Sequence, residues 1–290
     1  MSSMIDERSV EVPIMVYQIW IPQHVALRPY VQCFWHINQT IPYAVEKILP
    51  TGTVELIINF GGAFRTRTDT GHDLHTRSWL VGLQTRYVVN EVLADSHMVG
   101  IRFHPGGSYP FIRYDAHEFH NKIIAMDSIW QRSIHELREQ LYEAQTATAR
   151  FQLLETFLLS RLRDHEPPAS YIQHAVQSLA ASSGMQPIQQ LANQIGISQK
   201  HFGNQFKKIV GVTPKSLARI YRFQQVLRHV NPTQAVDWAA VAHHCHYHDQ
   251  SHFNKDFTAF TGETPTNYVK LLQPYIENSG NESAHFVPIG

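Results

Sequence analysis

The sequence predicts an α+β protein of two domains, with an antiparallel β-rich domain followed by an all-α domain. Up to about Asp127, short segments of period-two hydrophobicity alternate with turn residues, whereas from Ser128 apolar residues recur at three- and four-residue steps. The length of 290 residues exceeds one typical domain and suits two. We expect a β-rich domain over 1–127, a helical connector over 128–169, an all-α domain over 170–272 and a tail over 273–290.

The clearest predicted strand is Val54–Phe60, in which every second residue is apolar and Gly61 and Gly62 supply the following turn. Further strand-like segments, each bounded by Gly, Asp, Ser or Pro, lie at Trp79–Leu83, Tyr87–Leu93 and Met98–Phe103. Their spacing predicts an antiparallel sheet folded over on itself into a barrel.

The connector carries an apolar stripe formed by Phe151, Leu154, Leu158 and Leu162, at helical spacing. Such a stripe has to be buried, and two partners are open: the chain itself or a second copy across a dimer seam. Pro167 and Pro168 then interrupt the helix and mark a hinge before the last domain.

The segment 188–209 has the pattern of a helix-turn-helix. Leu191 and Ala192 face inward on a short helix, and Ala192 is small enough to let a second helix cross close to it. Gly196 stands where the chain must turn sharply, a position that favours positive φ. Ser198 is placed to cap the second helix at its N-terminus.

The second helix of this segment has two different faces. Phe202, Phe206 and Ile209 fall on the inward side of a helical wheel. The other side is polar and basic, as a helix that reads base edges and meets phosphates in the major groove requires. Its outward residues are Lys200, Gly203, Asn204 and Lys207.

The same design recurs over 238–259. Ala242 precedes a turn, Asp249 starts the next helix, and Phe253 and Phe257 point inward. Its outward residues are Ser251, Asn254, Lys255 and Thr258. The segment Pro214–Arg228 between the two units predicts a helix of about four turns that holds them apart. If both enter one face of a duplex, they should lie about 34 Å apart, in successive major grooves.

Charge distribution agrees with a nucleic-acid-binding C-terminal half. The chain is neutral overall, but Gly184–Lys270 holds nine Lys and Arg against four Asp and Glu, so this region is +5 and the remainder is −5.

These residues resemble the AraC/XylS family of transcription regulators. LANQIGIS and FKKIVGVTPKSLARIYRFQQVL resemble the family's first unit and linker helix, and YHDQSHFNKDFTAFTGETPTNYV resembles its second unit, over about ninety residues in all. The resemblance implies sequence-specific DNA binding by matched outward positions. With their neighbours Gln199 and Gln250, the expected DNA-binding residues are Gln199, Lys200, Gly203, Asn204, Lys207, Gln250, Ser251, Asn254 and Lys255; the expected turn and cap residues are Gly196, Ser198, His246 and Asp249.

One residue departs from the family pattern. His246 stands where the family has glycine at the second turn, so a non-glycine residue would have to adopt a left-handed conformation there. The N-terminal half, through ILPTGTVELIINFGG and VGIRFHPGGSYPF, resembles the strand-rich, cupin-like sensor halves of one branch of the family. That resemblance implies a small-molecule effector, whose binding residues the sequence does not identify, and dimerisation.

Two metal-based alternatives remain open. His248 and His252 are four apart, a spacing able to place two nitrogens on one metal ion in a metal-responsive regulator, although the pair straddles the start of the second recognition helix. His104, His117 and His120 are the candidate iron or zinc ligands of a cupin-type metalloenzyme, although the strands lack a compact His-x-His pair followed by a carboxylate. Because no triad, P-loop or dinucleotide-binding signature is present, we expect no enzyme, no cofactor and no metal.

The expected location is the cytoplasm. The first residues, MSSMIDERSVEVP, place charges where a secretory signal needs an apolar core, and no apolar run is long enough for a membrane span. Cys33 and Cys245 fall in different predicted domains and suit a reducing compartment. The expected partners are double-stranded DNA, a small-molecule effector and RNA polymerase, for a chain acting as a monomer or a homodimer.

Overall fold

The computed structural model of the protein describes residues 18–39, 45–68, 70–112, 114–162, 170–232, 234–279 and 286–288. The expected hinge at Pro167 and Pro168, and the charged first residues of the chain, lie outside these ranges.

The N-terminal half is built from strands in two antiparallel sheets, so the predicted α+β, two-domain fold class is confirmed. The first sheet has the order β1-β2-β9-β4-β7-β10, and the second has the order β11-β3-β8-β5-β6. The strands are β1 (Gln18–Trp20), β2 (Val31–Gln39), β3 (Val45–Ile48), β4 (Val54–Asn59), β5 (Phe64–Thr68), β6 (Gly71–His75), β7 (Ser78–Val81), β8 (Val88–Val92), β9 (Ser96–Phe103), β10 (Ile123–Ala125) and β11 (Phe286–Pro288).

The four strands predicted from the sequence correspond to β4, β7, β8 and β9. Strand β2 was not among the predicted strands, and both of its faces are covered. Phe34 packs towards the connector helices, whereas Cys33 and Trp35 belong to a second apolar cluster that also contains Phe64 of the other sheet.

The connector packs on the six-stranded sheet. It consists of α1 (Asp127–Trp130), α2 (Arg132–Glu143) and α3 (Ala147–Leu162). Phe151, Leu154 and Leu158 of the predicted stripe are buried, and the ring of Phe151 stacks on Phe34 with 6.3 Å between centroids. These three residues of the stripe are therefore covered within the chain, and the fourth, Leu162, is half-buried.

The C-terminal half is helical and shares one continuous core with the first sheet and the connector. Its helices are α4 (Ser170–Ala181), α5 (Ile188–Ile195), α6 (Gln199–Val210), α7 (Pro214–His229), α8 (Trp238–His244), α9 (Gln250–Thr261) and α10 (Pro265–Ser279). Helix α7 is the predicted linker helix; Thr213 caps it, and Pro214 occupies its first turn, where a missing N–H costs no hydrogen bond.

The segment expected as a tail has a different structure. Helix α10 continues to Ser279, and β11 then pairs antiparallel with β3 at the edge of the five-stranded sheet. The C-terminal segment thus returns to the N-terminal domain. An edge strand offers unpaired backbone groups along its whole length, so this pairing needs little side-chain specificity and leaves a weak sequence signal.

No helix in the described part of the chain combines the length and apolar composition that crossing a bilayer requires.

Candidate nucleic-acid interface

The first helix-turn-helix unit consists of α5 and α6. Leu191 and Ala192 are fully buried, as the inward face of α5 requires. Gly196 has a φ of 78°, a left-handed conformation that glycine adopts without steric cost, and its N–H donates to the Ala192 carbonyl at 3.1 Å. Ser198 then caps α6, since its hydroxyl oxygen accepts the N–H of His201 at 3.2 Å.

Helix α6 is held by its aromatic residues. Phe202 and Phe206 are fully buried, with 5.6 Å between ring centroids in an edge-to-face arrangement. Ile209 and Val210 extend the buried face. The opposite face of the helix is therefore turned away from the core.

The second unit consists of α8 and α9, and side chains cap both helices at their N-termini. The Asp237 carboxylate caps α8 by accepting the N–H groups of Ala239 and Ala240, each at 3.0 Å. Asp249 caps α9 by accepting the N–H of His252 at 2.7 Å. This backbone hydrogen bond, aided by the side chain of His248, holds the pKa of Asp249 below its ordinary value.

The turn of the second unit places His246 at a φ of 58°. Histidine therefore occupies a left-handed position without the freedom of glycine. The turn is nevertheless closed by a hydrogen bond of 2.9 Å from the N–H of Tyr247 to the Ala242 carbonyl, and both of these residues are buried. The unit reaches the same geometry as the first one with a less suitable residue.

We expect His246→Val to lower the free energy of unfolding by about 1–3 kcal/mol, because a β-branched residue tolerates positive φ poorly. His246→Gly should change stability little, since relief of strain is opposed by a larger unfolded ensemble. Chemical denaturation measures both. His243→Val is the matched control, because His243 is exposed on a regular helix. Equal stabilities for the two valine variants would show that the turn imposes no special conformation.

All nine expected DNA-binding residues lie on the surface. Eight side chains are exposed, and Gly203 is half-buried with open space where a Cβ would stand. None of the eight makes a side-chain hydrogen bond to the described residues, so each is available to a ligand. The eight are Gln199, Lys200, Asn204, Lys207, Gln250, Ser251, Asn254 and Lys255.

An ion pair with a buried carboxylate joins α7 to α9, and it was not predicted from the sequence. Arg219 donates to Asp256 through Nη2 at 2.6 Å and through Nε at 3.2 Å, and Asp256 is 3% exposed. The guanidinium of Arg222 lies over the Tyr247 ring, 5.4 Å from its centroid. Asp256 falls on the inward face of α9 between two phenylalanines, and an acid at such a position could have indicated a buried cationic partner.

Aromatic packing completes the attachment of the second unit. The ring of Phe223, on α7, lies 4.8 Å from Phe260 and 5.7 Å from Phe257, between centroids. All three residues are buried. Helix α9 is thus fixed to the linker helix by both polar and apolar contacts.

The N-terminal domain contacts the first unit through the 3₁₀ helix Ala116–Phe119. Ala116 and Phe119 are buried, and the Asp115 carboxylate lies 3.7 Å from the ammonium of Lys208 on α6. Burial, followed by the charge of Lys207, lowers the pKa of the neighbouring His120. The C-terminal turn of α6 therefore lies against the β-rich domain.

The N-terminal domain also contacts the second unit. Lys47 donates to Glu263 at 3.0 Å and lies over the Tyr87 ring at 4.7 Å from its centroid. Its ammonium is the largest cause of a lowered Glu263 pKa. At Gly262, just after α9, φ is 74° and a Cβ would stand 2.6 Å from the Tyr87 ring, so a larger residue would be strained and would displace that ring. One domain thus touches both units.

The histidines singled out for metal binding have other surroundings. His248 lies 3.0 Å from Asp249, His252 lies 3.9 Å from Asp256, and His120 bonds to the Thr85 hydroxyl at 3.1 Å. His117 lies on the 3₁₀ helix, and burial lowers the pKa of His104. Among the described residues, no three His, Cys, Asp or Glu side chains are grouped to hold a metal ion.

Two families match the chain. Residues 191–271 match a family described as a helix-turn-helix domain, and residues 21–125 match a domain of unknown function, DUF6597. No curated protein sequence matches. The helix-turn-helix match begins within α5 and ends within α10, so it includes both reading helices and the linker helix.

Several solved structures are similar at low identity. ToxT from Vibrio cholerae has a TM-score of 0.45 and 9% identity, over 88% of this chain and 98% of that chain. Wild-type ToxT from Vibrio cholerae bound to an unsaturated fatty acid has a TM-score of 0.43 and 10% identity, over 81% and 93%. The AraC-like transcriptional activator CuxR has a TM-score of 0.24 and 11% identity, over 72% and 86%.

The family match and the geometry of the two units identify the C-terminal half. Each unit has a capped second helix, a left-handed turn, an aromatic inward face and an exposed polar face. The C-terminal domain is therefore a helix-turn-helix domain with two units, carried by a DNA-binding transcription regulator.

Proposed function

We propose that α6 and α9 enter successive major grooves of one DNA duplex and read it in a sequence-specific manner. The observation that carries this proposal is the repetition, on both helices, of exposed polar side chains with no partner in the described part of the chain. Helix α7, with 16 residues, spans about 24 Å and lies between the two units.

The outward residues divide into two roles. Asn204 and Asn254 have amide groups suited to base edges, most of all adenine, and lie six and five residues after the N-caps of their helices. The remaining residues position the helices on phosphates and groove walls, with the lysines supplying charge. This second set is Gln199, Lys200, Gly203, Lys207, Gln250, Ser251 and Lys255.

We further propose that a small molecule bound to the N-terminal domain controls DNA binding. This domain contacts the first unit at Lys208 and the second at Glu263, so a change in its structure would reach both reading helices. An apolar cluster that includes Trp35, Trp79 and Met98 lies between the two sheets, on the side of the six-stranded sheet that faces away from the connector.

The proposal also covers enzymatic activity, oligomeric state and contact with RNA polymerase. We propose a regulator without enzymatic activity, which acts as a monomer or homodimer and which contacts RNA polymerase when bound near a promoter. The metal-responsive and metalloenzyme alternatives are not proposed, because no observation on the described residues favours them.

Asn204→Ala and Asn254→Ala should each weaken binding to selected DNA by about 1–3 kcal/mol, because a base-specific contact is lost. Lys207→Ala should instead weaken all sequences similarly and lower the salt slope by about one unit. Full-length protein first selects its duplex from a random library. Titrations on this duplex and on a scrambled one then measure each variant.

The matched control is Gln273→Ala, since Gln273 is exposed on α10, outside both units. Equal losses on selected and scrambled duplexes for the asparagine variants would contradict the base-reading role. Failure of the unaltered protein to select any duplex would contradict DNA recognition itself.

A further inference from the structure

A groove of about 370 Å³ lies between the two helix-turn-helix units. Its walls are the segment that leads into α5, the first half of α7 and the start of α9. No residue expected to bind DNA lines it, so the groove is separate from the two reading faces. It nevertheless adjoins one of them, because His252 lines the groove and Ser251 precedes it on α9.

The groove is cationic. Lys215, Arg219 and Arg222 line it from α7, with spacings of four and three residues that place them on one side of the helix. No aspartate or glutamate is part of the lining. Three positive side chains therefore share one concave surface.

Only one of these cations has a carboxylate partner in the described part of the chain. Arg219 is neutralised by Asp256 at 2.6 Å. Lys215 is exposed and makes no hydrogen bond to described residues. Arg222 stacks on Tyr247, and its Nε atom is buried without a hydrogen-bond acceptor. Two uncompensated charges in a concavity attract an anion more strongly than the same charges on a convex surface.

The position of the groove between the two units indicates which anion it binds. When both units read one duplex, the DNA backbone that separates the two major grooves faces the part of the protein that separates the two units. The linker helix and its groove occupy that interval. A phosphodiester supplies the acceptor oxygens that a free lysine and a guanidinium edge require.

We propose that this groove binds backbone phosphates of the DNA segment between the two half-sites, with Lys215 and Arg222 as the contacting residues. This assignment rests on the proposed reading of two successive grooves by one chain. It adds a third contact region that carries no base information and that fixes the spacing between half-sites.

The test compares the full-length protein with Lys215→Ala and with the double variant Lys215→Ala/Arg222→Gln on the selected two-half-site duplex. Each lost phosphate contact should lower the slope of log K against log salt by about 0.9. We expect about one unit for the single variant and about two for the double variant. Lys270→Ala removes an exposed lysine from α10 and is the control with the same change in charge.

Three further measurements make the result specific to the groove. Arg222→Lys should keep the slope, because the charge remains. Neutral methylphosphonates placed midway between the half-sites should weaken the unaltered protein but leave the double variant nearly unaffected. On a short duplex with one half-site, all variants should behave alike. Melting temperatures establish that each variant is folded.

The outcomes separate the two proposals. If the unaltered protein binds the selected duplex but the double variant keeps the slope of Lys270→Ala, the groove assignment is wrong. Inorganic phosphate could raise the melting temperature of the unaltered protein but not of the double variant, while the two proteins give equal salt slopes on DNA. In that case the groove binds a free anion, and its assignment to DNA phosphates is wrong. If the unaltered protein selects no duplex, the proposed function fails before the groove is tested.

Discussion

Replacing Phe206 or Phe253 with alanine is expected to lower the free energy of unfolding by about 3–5 kcal/mol in each case. Both rings are fully buried, and each anchors the reading helix of its own unit to the core. The loss combines the transfer of an aromatic ring with the cavity left behind, since a close-packed interior relaxes only in part. Denaturant titration measures this change directly.

The two substitutions should differ in their effect on DNA. Phe206→Ala loosens α6, so protection of the half-site read by Asn204 should weaken first, whereas Phe253→Ala should affect the half-site read by Asn254. Footprinting at a temperature where both variants remain folded resolves the two half-sites. Phe206→Leu and Phe253→Leu keep most of the buried volume and serve as controls. Loss of the same half-site in both alanine variants would contradict two separately anchored reading helices.

Removing Arg219 should have the next largest effect. Arg219→Met leaves the Asp256 carboxylate buried without its partner, and breaking a pair of this kind typically costs several kcal/mol. The side chain of Arg219 is 39% exposed, so water reaches the site and we expect about 2–3 kcal/mol. Chemical denaturation again gives the magnitude.

A matched set distinguishes the ion pair from a general loss of charge. Arg228→Met removes an exposed arginine from the same helix and should change stability little. The double variant Arg219→Met/Asp256→Leu removes both charges and should recover much of the lost stability, because no unpaired carboxylate remains. If Arg219→Met and Arg228→Met have equal stability, the pair does not hold α9 to the linker helix.

Local sequence patterns were sufficient for the two reading units. The positions of Gly196, Ser198 and Asp249 depend on contacts within four residues, through a left-handed turn and two side-chain caps. Inward phenylalanines at four-residue spacing specify one face of a helix in the same way. Such signals are contained in a short window, so they are readable without knowledge of the rest of the chain.

The β-rich half was less predictable. Strand β4 alternates in burial and was identified, whereas β2, which packs against both the connector and the other sheet, was not. The pairing of β11 with β3 also escaped prediction, since it joins segments more than two hundred residues apart in sequence. Strand order depends on which segments meet in space, and short strands leave weak individual signals.

The sequence by itself determined the fold class, the two helix-turn-helix units, the left-handed turns and the polar residues that face outward, because periodicity and capping act over one or two turns of helix. Tertiary structure alone decided how these units are held. Arg219 pairs with Asp256 across 37 residues, and Lys47 bonds to Glu263 across 216. Neither pair has a local signature, since each forms only when packing of the apolar core brings the two elements together and buries one charge of the pair, Asp256 or Lys47.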